Sequence, residues 1–182
     1  MKIGIDISQI AYEHSGVAQF TKELIRNLLN KDTKNSYILF GSSLRNKKTL
    51  REICQRLDDS NHRSIIKLFS FPQTLLDLLW NRLHIFPIEW LIGDVDVFIT
   101  SDWTEPPTTK AKKATILYDL IVYKTPQETD KKIVDVQKRK LNWVKKESSV
   151  ILCISEATKK DAMEILGIEE RRLRVIYPGV SS

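Results

Sequence analysis

The feature that most restricts how this chain folds is a regular alternation of short apolar segments with longer amphipathic ones. Short runs rich in β-branched residues predict strands, and the segments between them space their apolar residues as helices do. Two parallel strands need a helical crossover, and both faces of a parallel sheet must be buried, so this order indicates a sheet with helices on both sides. The predicted strands, in chain order, are KIGIDI, YILF, SIIKLF, VDVFIT, KATILY, SVILCI and RLRVIY.

The predicted helices complete this pattern. One begins near Gly16, and a strongly apolar helix, TLLDLLWNRLHIF, is ended by Pro87. A basic amphipathic helix runs from Thr129 to Lys146, and the last helix is closed by Gly167. A length of 182 residues suffices for one sizeable core. We therefore predict a single α/β domain over residues 1–182, with a doubly wound, mostly parallel, Rossmann-like sheet in three layers.

Composition narrows the class of protein. With 42% apolar and 29% charged residues, the chain is typical of globular proteins rather than disordered ones. Cys54 and Cys153 fit no metal-ligand spacing and fall in apolar segments, so we expect buried free thiols and a reducing compartment. No apolar run is long enough to span a membrane, and the first residues lack the apolar core of a signal peptide. We expect a cytoplasmic protein.

The net charge of +6 is concentrated in one region. Between Lys110 and Lys146 there are eleven basic and four acidic residues, a local charge of +7 that leaves −1 for the rest. This region fits an anionic membrane surface, a phosphorylated substrate, or simply the solvated face of a helix. We expect no nucleic-acid partner, because no recognised binding motif accompanies the charge. If a membrane is the partner, the contacting lysines include Lys131, Lys132, Lys138 and Lys140.

The loops that follow the strands are the candidate site, because ligands of open parallel sheets bind outside the carboxyl ends of the strands. The first such loop leads to Gly16 at a helix start, where backbone N–H groups and the helix dipole favour an anion. Neither a dinucleotide fingerprint nor a phosphate-loop motif is present. From the residues alone, Gly16 is better explained as a turn residue.

Two further loops combine aromatic rings with carboxylates, as sugar-binding sites often do. Ordered loops with satisfied polar groups explain them equally well. A later loop places Ser155 at a helix start, where capping alone accounts for it. The residues of the two aromatic loops are Asp102, Trp103 and Glu105 in TSDWTEPPTT, and Tyr118, Asp119, Tyr123 and Lys124 in YDLIVYKTPQ.

Four segments resemble, in order and spacing, the landmarks of the amino-terminal half of family 4 glycosyltransferases, which have the GT-B fold. They are GIDISQIAYEHSGVAQFTKELIRNL, DVFITSDWTEPP, ILYDLIVYKTPQ and VILCISEATKKDAMEILGIEERRLRVIYPGV. The resemblance covers nearly the whole chain, and its last segment is the most specific. In that family two Rossmann-like domains face each other; the first mainly binds the acceptor and the second holds the sugar nucleotide. The resemblance implies that residues 1–182 are the acceptor-side domain and that the donor domain lies outside them.

The resemblance also implies roles for single residues. Ser15, Gly16 and Val17 are similar to the loop that meets the donor diphosphate. The loops from Thr100 to Pro107 and from Tyr118 to Lys124 resemble the acceptor-side walls, with Asp102, Trp103, Glu105, Tyr123 and Lys124 as contacts. The resemblance places Ser155, Glu156 and Lys159 in the interdomain cleft.

The catalytic position departs from the family pattern. Many members carry a His-Asp pair after the fifth strand, whereas this chain has Tyr118 and Asp119. A tyrosine can donate a hydrogen bond, but its usual pKa of ~10 makes it a poor general base near neutrality. Glu13 and His14, beside Gly16, are candidates to replace part of the histidine's role.

The activity implied by the resemblance is transfer of a sugar from a nucleotide-diphosphate donor to a hydroxyl, with retention of anomeric configuration. It implies no cofactor and no metal, only the nucleotide sugar as co-substrate. The expected setting is the synthesis of polysaccharide, lipopolysaccharide or glycolipid, with a sugar or lipid-linked acceptor and a peripheral position at the inner face of a membrane. Without its donor domain the chain is expected to be inactive. The alternative is a non-catalytic module of the same fold that binds a sugar or a phosphate.

Overall fold

A computed structural model describes residues 1–12, 15–58, 64–100 and 102–179. Its strands are β1 (Lys2–Asp6), β2 (Ser36–Ser42), β3 (Ser64–Phe69), β4 (Val97–Thr100), β5 (Lys112–Leu117), β6 (Ser148–Cys153) and β7 (Leu173–Val175). They form one sheet in the order β3-β2-β1-β4-β5-β6-β7, and every neighbouring pair is parallel. The prediction of a doubly wound, Rossmann-like sheet is confirmed.

The order of the strands fixes where a ligand site belongs. After β1 the chain adds β2 and β3 on one side of the sheet, and it then returns to place β4 on the other side of β1. Ligands of open α/β sheets bind at such a switch point, beyond the carboxyl ends of the strands. The relevant loops are therefore those that follow β1, β4 and β5.

Helices cover both faces of the sheet. They are α1 (Gly16–Lys31), α2 (Lys47–Asp58), α3 (Gln73–Leu76), α4 (Glu89–Ile92), α5 (Ile121–Lys124), α6 (Lys131–Glu147) and α7 (Glu156–Leu166), with a π-helical segment (Asp77–Arg82) that continues α3.

The alternation of side chains along β2 shows both faces being buried. Tyr37 and Leu39 pack in the cluster that contains the buried residues of α1 and α2. Ile38 and Phe40 point the other way and pack with Trp80 and the residues of α3 and α4. A third cluster lies beneath α6 and α7. Cys54 and Cys153 are buried free thiols, as predicted, and burial raises the pKa of Cys153 to about 11.

The apolar helix predicted to end at Pro87 is shorter and partly of another type. Its second part is π-helical, and it ends at Arg82, where the Leu83 N–H donates to the Leu78 carbonyl at 3.0 Å. His84 and Phe86 then adopt positive φ angles of 51° and 71°. The chain therefore leaves the helix before it reaches the proline.

The basic region is only partly a solvated helix face. α6 begins after Asp130, whose carboxylate accepts a hydrogen bond from the Lys132 N–H at 2.7 Å. Lys113 and Lys140, however, are buried, with 3% and 2% of their surface exposed. The expectation that Lys140 belongs to a membrane-contacting face is wrong, because this lysine points into the protein. None of the helices in the described part of the chain has the length and apolarity needed to cross a membrane.

Candidate functional site

A cleft of about 310 Å³ lies at the carboxyl edge of the sheet, beside the switch point. We call it the switch-point cleft. Four parts of the chain that are distant in sequence contribute to it: the start of α1, the loop after β4, the end of β5 and the inner face of α6. Its polar and aromatic lining consists of Asp102, Trp103, Tyr118, Asp119, Thr129, Gln137 and Lys140, with Val17 at the α1 side.

The backbone at the start of α1 is accessible to a ligand. Ser15 caps the helix, its Oγ accepting a hydrogen bond from the Ala18 N–H at 3.1 Å. Gly16 follows as the first helical residue, is exposed, and has open space where a Cβ would project, with no atom within 4 Å. The first N–H groups of a helix have no partner within the helix. Together with the helix dipole, this makes the α1 start a suitable site for an anion.

Tyr118 connects the end of β5 to α1. Its hydroxyl lies 3.3 Å from the Thr21 Oγ1, and Thr21 in turn donates to the Val17 carbonyl at 2.8 Å. Because the threonine hydrogen is used in that second bond, the tyrosine is the donor in the first. The Tyr118 ring also packs edge-on against Phe20, with ring centroids 5.7 Å apart. The predicted donor loop and the predicted catalytic pair are thus brought together.

The two carboxylates of the cleft differ in their surroundings. Asp119 is exposed and accepts a hydrogen bond from the Ile121 N–H at 3.1 Å. Asp102 is half-buried, and the Gln137 amide donates to its backbone carbonyl at 3.0 Å. Burial raises the pKa of Asp102, against the effect of the nearby Lys140 charge. Asp119 is the better-placed acceptor for hydroxyl groups from solution.

Glu105, predicted as an acceptor contact, does not line the cleft. It is fully buried, with 0% of its surface exposed. Its carboxylate accepts hydrogen bonds from Thr100 at 2.6 Å and from Thr115, and it lies 3.4 Å from the Lys113 ammonium. Glu105 therefore holds the loop after β4 against β5.

Lys140 lines the cleft, whereas the sequence analysis placed it among the membrane-contacting lysines. Burial lowers the pKa of Lys140, and the negative charges of Glu105, Asp102 and Asp6 oppose that shift. A signal for its burial exists in the sequence, because Lys140 lies at helical spacing from the buried Val144. A lysine on the apolar face of an amphipathic helix is a candidate for a buried charge.

Asp6 completes the buried charges and fixes the loop after β1. Its Oδ1 accepts hydrogen bonds from the Ser8 N–H at 2.9 Å and the Ser8 hydroxyl at 2.6 Å. Burial raises the pKa of Asp6, and these two hydrogen bonds oppose the increase. The Ser8 Oγ also accepts from the Ser42 N–H at 2.9 Å, which joins the ends of β1 and β2.

Several predicted contacts lie outside the lining of the cleft. Tyr123 is half-buried beneath Lys138, whose Nζ lies 5.2 Å from the ring centroid, and Lys124 pairs with Asp161 at 3.0 Å. Glu13 and His14 lie outside the described residues. Among the residues that the structure does describe, no three His, Cys, Asp or Glu side chains are grouped as a metal site would require.

The predicted interdomain residues lie at the start of α7. Ser155 caps this helix, accepting from the Thr158 N–H at 3.0 Å, and Glu156 is its first residue. Thr158 donates to the Tyr118 carbonyl at 3.1 Å, which fixes the α7 start next to the end of β5. Thr158 therefore links Ser155 to Tyr118, which lines the cleft. The Lys159 ammonium instead pairs with Glu170, which follows α7 in the chain, at 2.8 Å.

Comparison with known proteins adds no assignment. No model of a protein family matches the chain, and no curated protein matches it significantly.

Proposed function

We propose that this chain is the acceptor-side domain of a retaining glycosyltransferase, working with a donor-binding domain in the same polypeptide or in a separate chain. The observation that carries the proposal is the switch-point cleft itself. Segments that carry the family resemblance, and that are far apart in sequence, contribute Val17, Asp102 and Tyr118 to one cleft. That cleft lies where a doubly wound sheet binds its ligands.

The proposed roles follow from the geometry. The start of α1 at Gly16 receives the donor diphosphate, because its N–H groups and dipole stabilise the negative charge that develops on the leaving group. The Tyr118 hydroxyl, whose hydrogen is donated to Thr21, accepts a hydrogen bond from a sugar hydroxyl. Asp119 accepts from an acceptor hydroxyl, and Trp103 offers an aromatic wall to the sugar ring. The bond between the sugar carbon and the diphosphate oxygen breaks, a new bond to the acceptor oxygen forms on the same face, and the proton of the acceptor hydroxyl passes to the departing diphosphate.

Lys140 has a supporting role in this scheme. Its buried charge balances those of Asp6 and Asp102, which hold the two loops that flank the switch point. With this cation in place, two carboxylates can lie close together beside a site for an anionic donor. Lys140 is thus a positioning residue.

The proposed setting is the cytoplasmic face of a membrane. Exposed lysines at the two ends of α6 support this, because they supply the attraction to anionic lipid that the buried Lys113 and Lys140 do not. They are Lys131, Lys132, Lys145 and Lys146.

The test is a transfer assay on the protein together with its donor domain. A panel of nucleotide sugars is offered with sugar and lipid-linked acceptors, and release of nucleoside diphosphate is measured while NMR follows the anomeric configuration of the product. We expect release that depends on acceptor, with retention. Binding of a sugar or a phosphate without turnover would instead favour the non-catalytic module. Inversion of configuration would contradict the proposed mechanism.

A further inference from the structure

A second groove lies between the π-helical segment and α6, with a volume of about 400 Å³. We call it the α6 groove. This volume is within the range of about 300–1,000 Å³ that is typical of small-molecule sites. Trp103 lines both this groove and the switch-point cleft, so the two are neighbours that share one wall.

One part of the α6 groove is apolar. Leu78, Val136 and Trp103 line it, and Leu78 keeps 43% of its surface exposed. Large apolar side chains that remain open in a concave site indicate a ligand with apolar surface.

The other part of the groove carries two guanidinium groups. Asp77 accepts hydrogen bonds from the Arg82 Nε at 3.0 Å and the Arg139 Nη2 at 2.9 Å. Although burial favours the neutral acid, hydrogen bonds from Arg82, Asn81 and Arg139 hold the pKa of Asp77 below its usual value. One carboxylate therefore accepts from two cations. Lys132 and Asp135 also line the groove, so its three cations and two carboxylates leave a net charge of +1.

The donors of this pair are not all used. The Arg139 Nε is buried and has no hydrogen-bond partner among the described residues. Because this nitrogen is closed to solvent, a ligand atom that accepts from the pair does so at the accessible part of either guanidinium, and the Arg139 side chain is 28% exposed. Arg82, with 55% of its side chain exposed, lies at the open side where such an atom can arrive.

The backbone under the groove is also unusual. Asp77, Leu78 and Arg82 all belong to the π-helical segment and all line the groove. Single turns of π-helix are rare and occur frequently at functional sites.

We propose that the α6 groove binds a single-chain anionic amphiphile, with its hydrocarbon chain against Leu78 and Val136 and its anionic head at Arg82 and Arg139. Because the groove shares Trp103 with the switch-point cleft, the amphiphile is the lipid part of the acceptor. This last identification rests on the proposed transferase function, whereas the binding itself does not. The acceptor sugar then extends from the head group past Trp103 towards Asp119.

The test is calorimetric titration of this chain with monomeric dodecyl phosphate. Dodecyl maltoside, which has the same chain and a neutral head, and inorganic phosphate, which has no chain, are titrated in parallel. We expect dodecyl phosphate to bind and both comparison compounds to bind at least about tenfold more weakly, because each lacks one of the two contacts.

Two pairs of variants locate the site. Arg82→Gln is matched by Arg26→Gln, since both arginines pair with a carboxylate and expose 55% and 54% of their side chains. Leu78→Glu is matched by Leu44→Glu, at another exposed leucine that does not line the groove. Arg82→Gln and Leu78→Glu should each weaken binding about tenfold, the effect of one charge-assisted hydrogen bond or one lost apolar contact. The matched variants should leave it unchanged.

Several outcomes overturn the proposal. Absence of dodecyl phosphate binding overturns it directly, and so does equal weakening by the test and control variants. Equal binding of inorganic phosphate would mean an anion site without a hydrocarbon contact, and binding only to micelles or vesicles would mean a surface rather than a groove. Because none of these readouts uses turnover, failure of the transferase assay leaves them standing, and their failure leaves that assay standing.

Discussion

Replacing Lys140 with methionine tests whether the buried charges beside the switch-point cleft act as one unit. Methionine retains the length and flexibility of the side chain but removes the charge. Two effects then oppose each other. The variant no longer has to bury an ammonium group, which is the cause of the lowered pKa of Lys140, but Asp6, Asp102 and Glu105 lose a cation.

We expect the loss of the cation to dominate. Asp6 and Glu105 expose only 4% and 0% of their surfaces, so water cannot replace Lys140 as their partner. Lys140 interacts with these carboxylates through its charge, and the closest comparison is the removal of one partner of a buried ion pair, which typically costs about 3–5 kcal/mol. Because Glu105 retains Lys113 at 3.4 Å, the lower end applies, and we expect Lys140→Met to reduce the free energy of unfolding by about 3 kcal/mol at neutral pH.

The deficit should depend on pH. Burial already raises the pKa values of Asp6 and Asp102, and removal of Lys140 raises them further. A carboxyl group whose pKa is higher in the folded state destabilises the protein at higher pH, and this cost disappears below its unfolded pKa of ~3.9. The difference between wild type and Lys140→Met should therefore be greatest at neutral pH and shrink as the pH falls towards ~4.

Urea unfolding followed by circular dichroism over this pH range measures the effect. Lys138→Met is the control, because Lys138 is on the same helix but only half-buried over the Tyr123 ring. It should change the free energy of unfolding by less than about 1 kcal/mol. A Lys140→Met variant as stable as wild type, or a deficit that does not vary with pH, would refute the account of Lys140.

Three further predictions follow from other parts of the structure. Hydrogen bonds, chiefly from the Tyr37 hydroxyl, hold the pKa of Asp32 below its usual range. Asp32→Asn should therefore lower the free energy of urea unfolding at neutral pH, and this loss should shrink as the pH falls below ~4. Gly4→Ala should cost about 1–3 kcal/mol in the same assay, because a Cβ would lie 2.7 Å from the buried Phe98 ring, whereas Gly16→Ala, which meets nothing within 4 Å, should not show this overpacking cost. Finally, the chain should sediment with anionic but not neutral vesicles at low salt. Each exposed lysine near such a surface is worth about 1 kcal/mol, so binding should be lost when Lys131, Lys132, Lys145 and Lys146 are all changed to Glu. Sedimentation of that variant would contradict the membrane assignment.

The elements of the fold were predictable because their signals are local. The period of apolar residues marks each strand and each long helix, and the ends of α7 follow from single residues. Ser155 caps its start, and Gly167 ends it with a left-handed φ of 63°. Such signals need no knowledge of which segments meet in space.

The π-helical segment was not predictable in this way, because its supports come from a distant part of the chain. The Trp143 indole donates to the Asn81 carbonyl at 2.9 Å, and its ring stacks on His84 with centroids 3.6 Å apart. Only a folded α6 brings Trp143 to this position. A sequence pattern records the apolar residues of the segment but not the tertiary contacts that alter its hydrogen bonding.

Part of the candidate site was predictable from local signals, and part of it was not. The loops that build it were predictable, because the carboxyl ends of parallel strands all lie at one edge of the sheet. The burial of Glu105 was not, because its partner Lys113 lies in another segment. Helical spacing from Val144 indicates that Lys140 faces the core, but it does not indicate which carboxylates Lys140 meets there. In sequence, a charged residue in a loop or on a basic helix gives no sign of such a partner.

The transfer rate of Gly16→Val tests whether the start of α1 binds the donor diphosphate. The measurement uses the protein together with its donor domain, and Arg26→Val, about 15 Å farther along α1, is the control for a β-branched residue in this helix. Gly16 has open space around its Cα, so valine should leave the fold intact while occupying the position that the phosphate oxygens need. We predict that Gly16→Val slows transfer roughly a hundredfold or more, as loss of hydrogen-bond donors to a developing anion does, while Arg26→Val does not. Unchanged transfer by a folded Gly16→Val protein would contradict the claim and return Gly16 to the role of a turn residue.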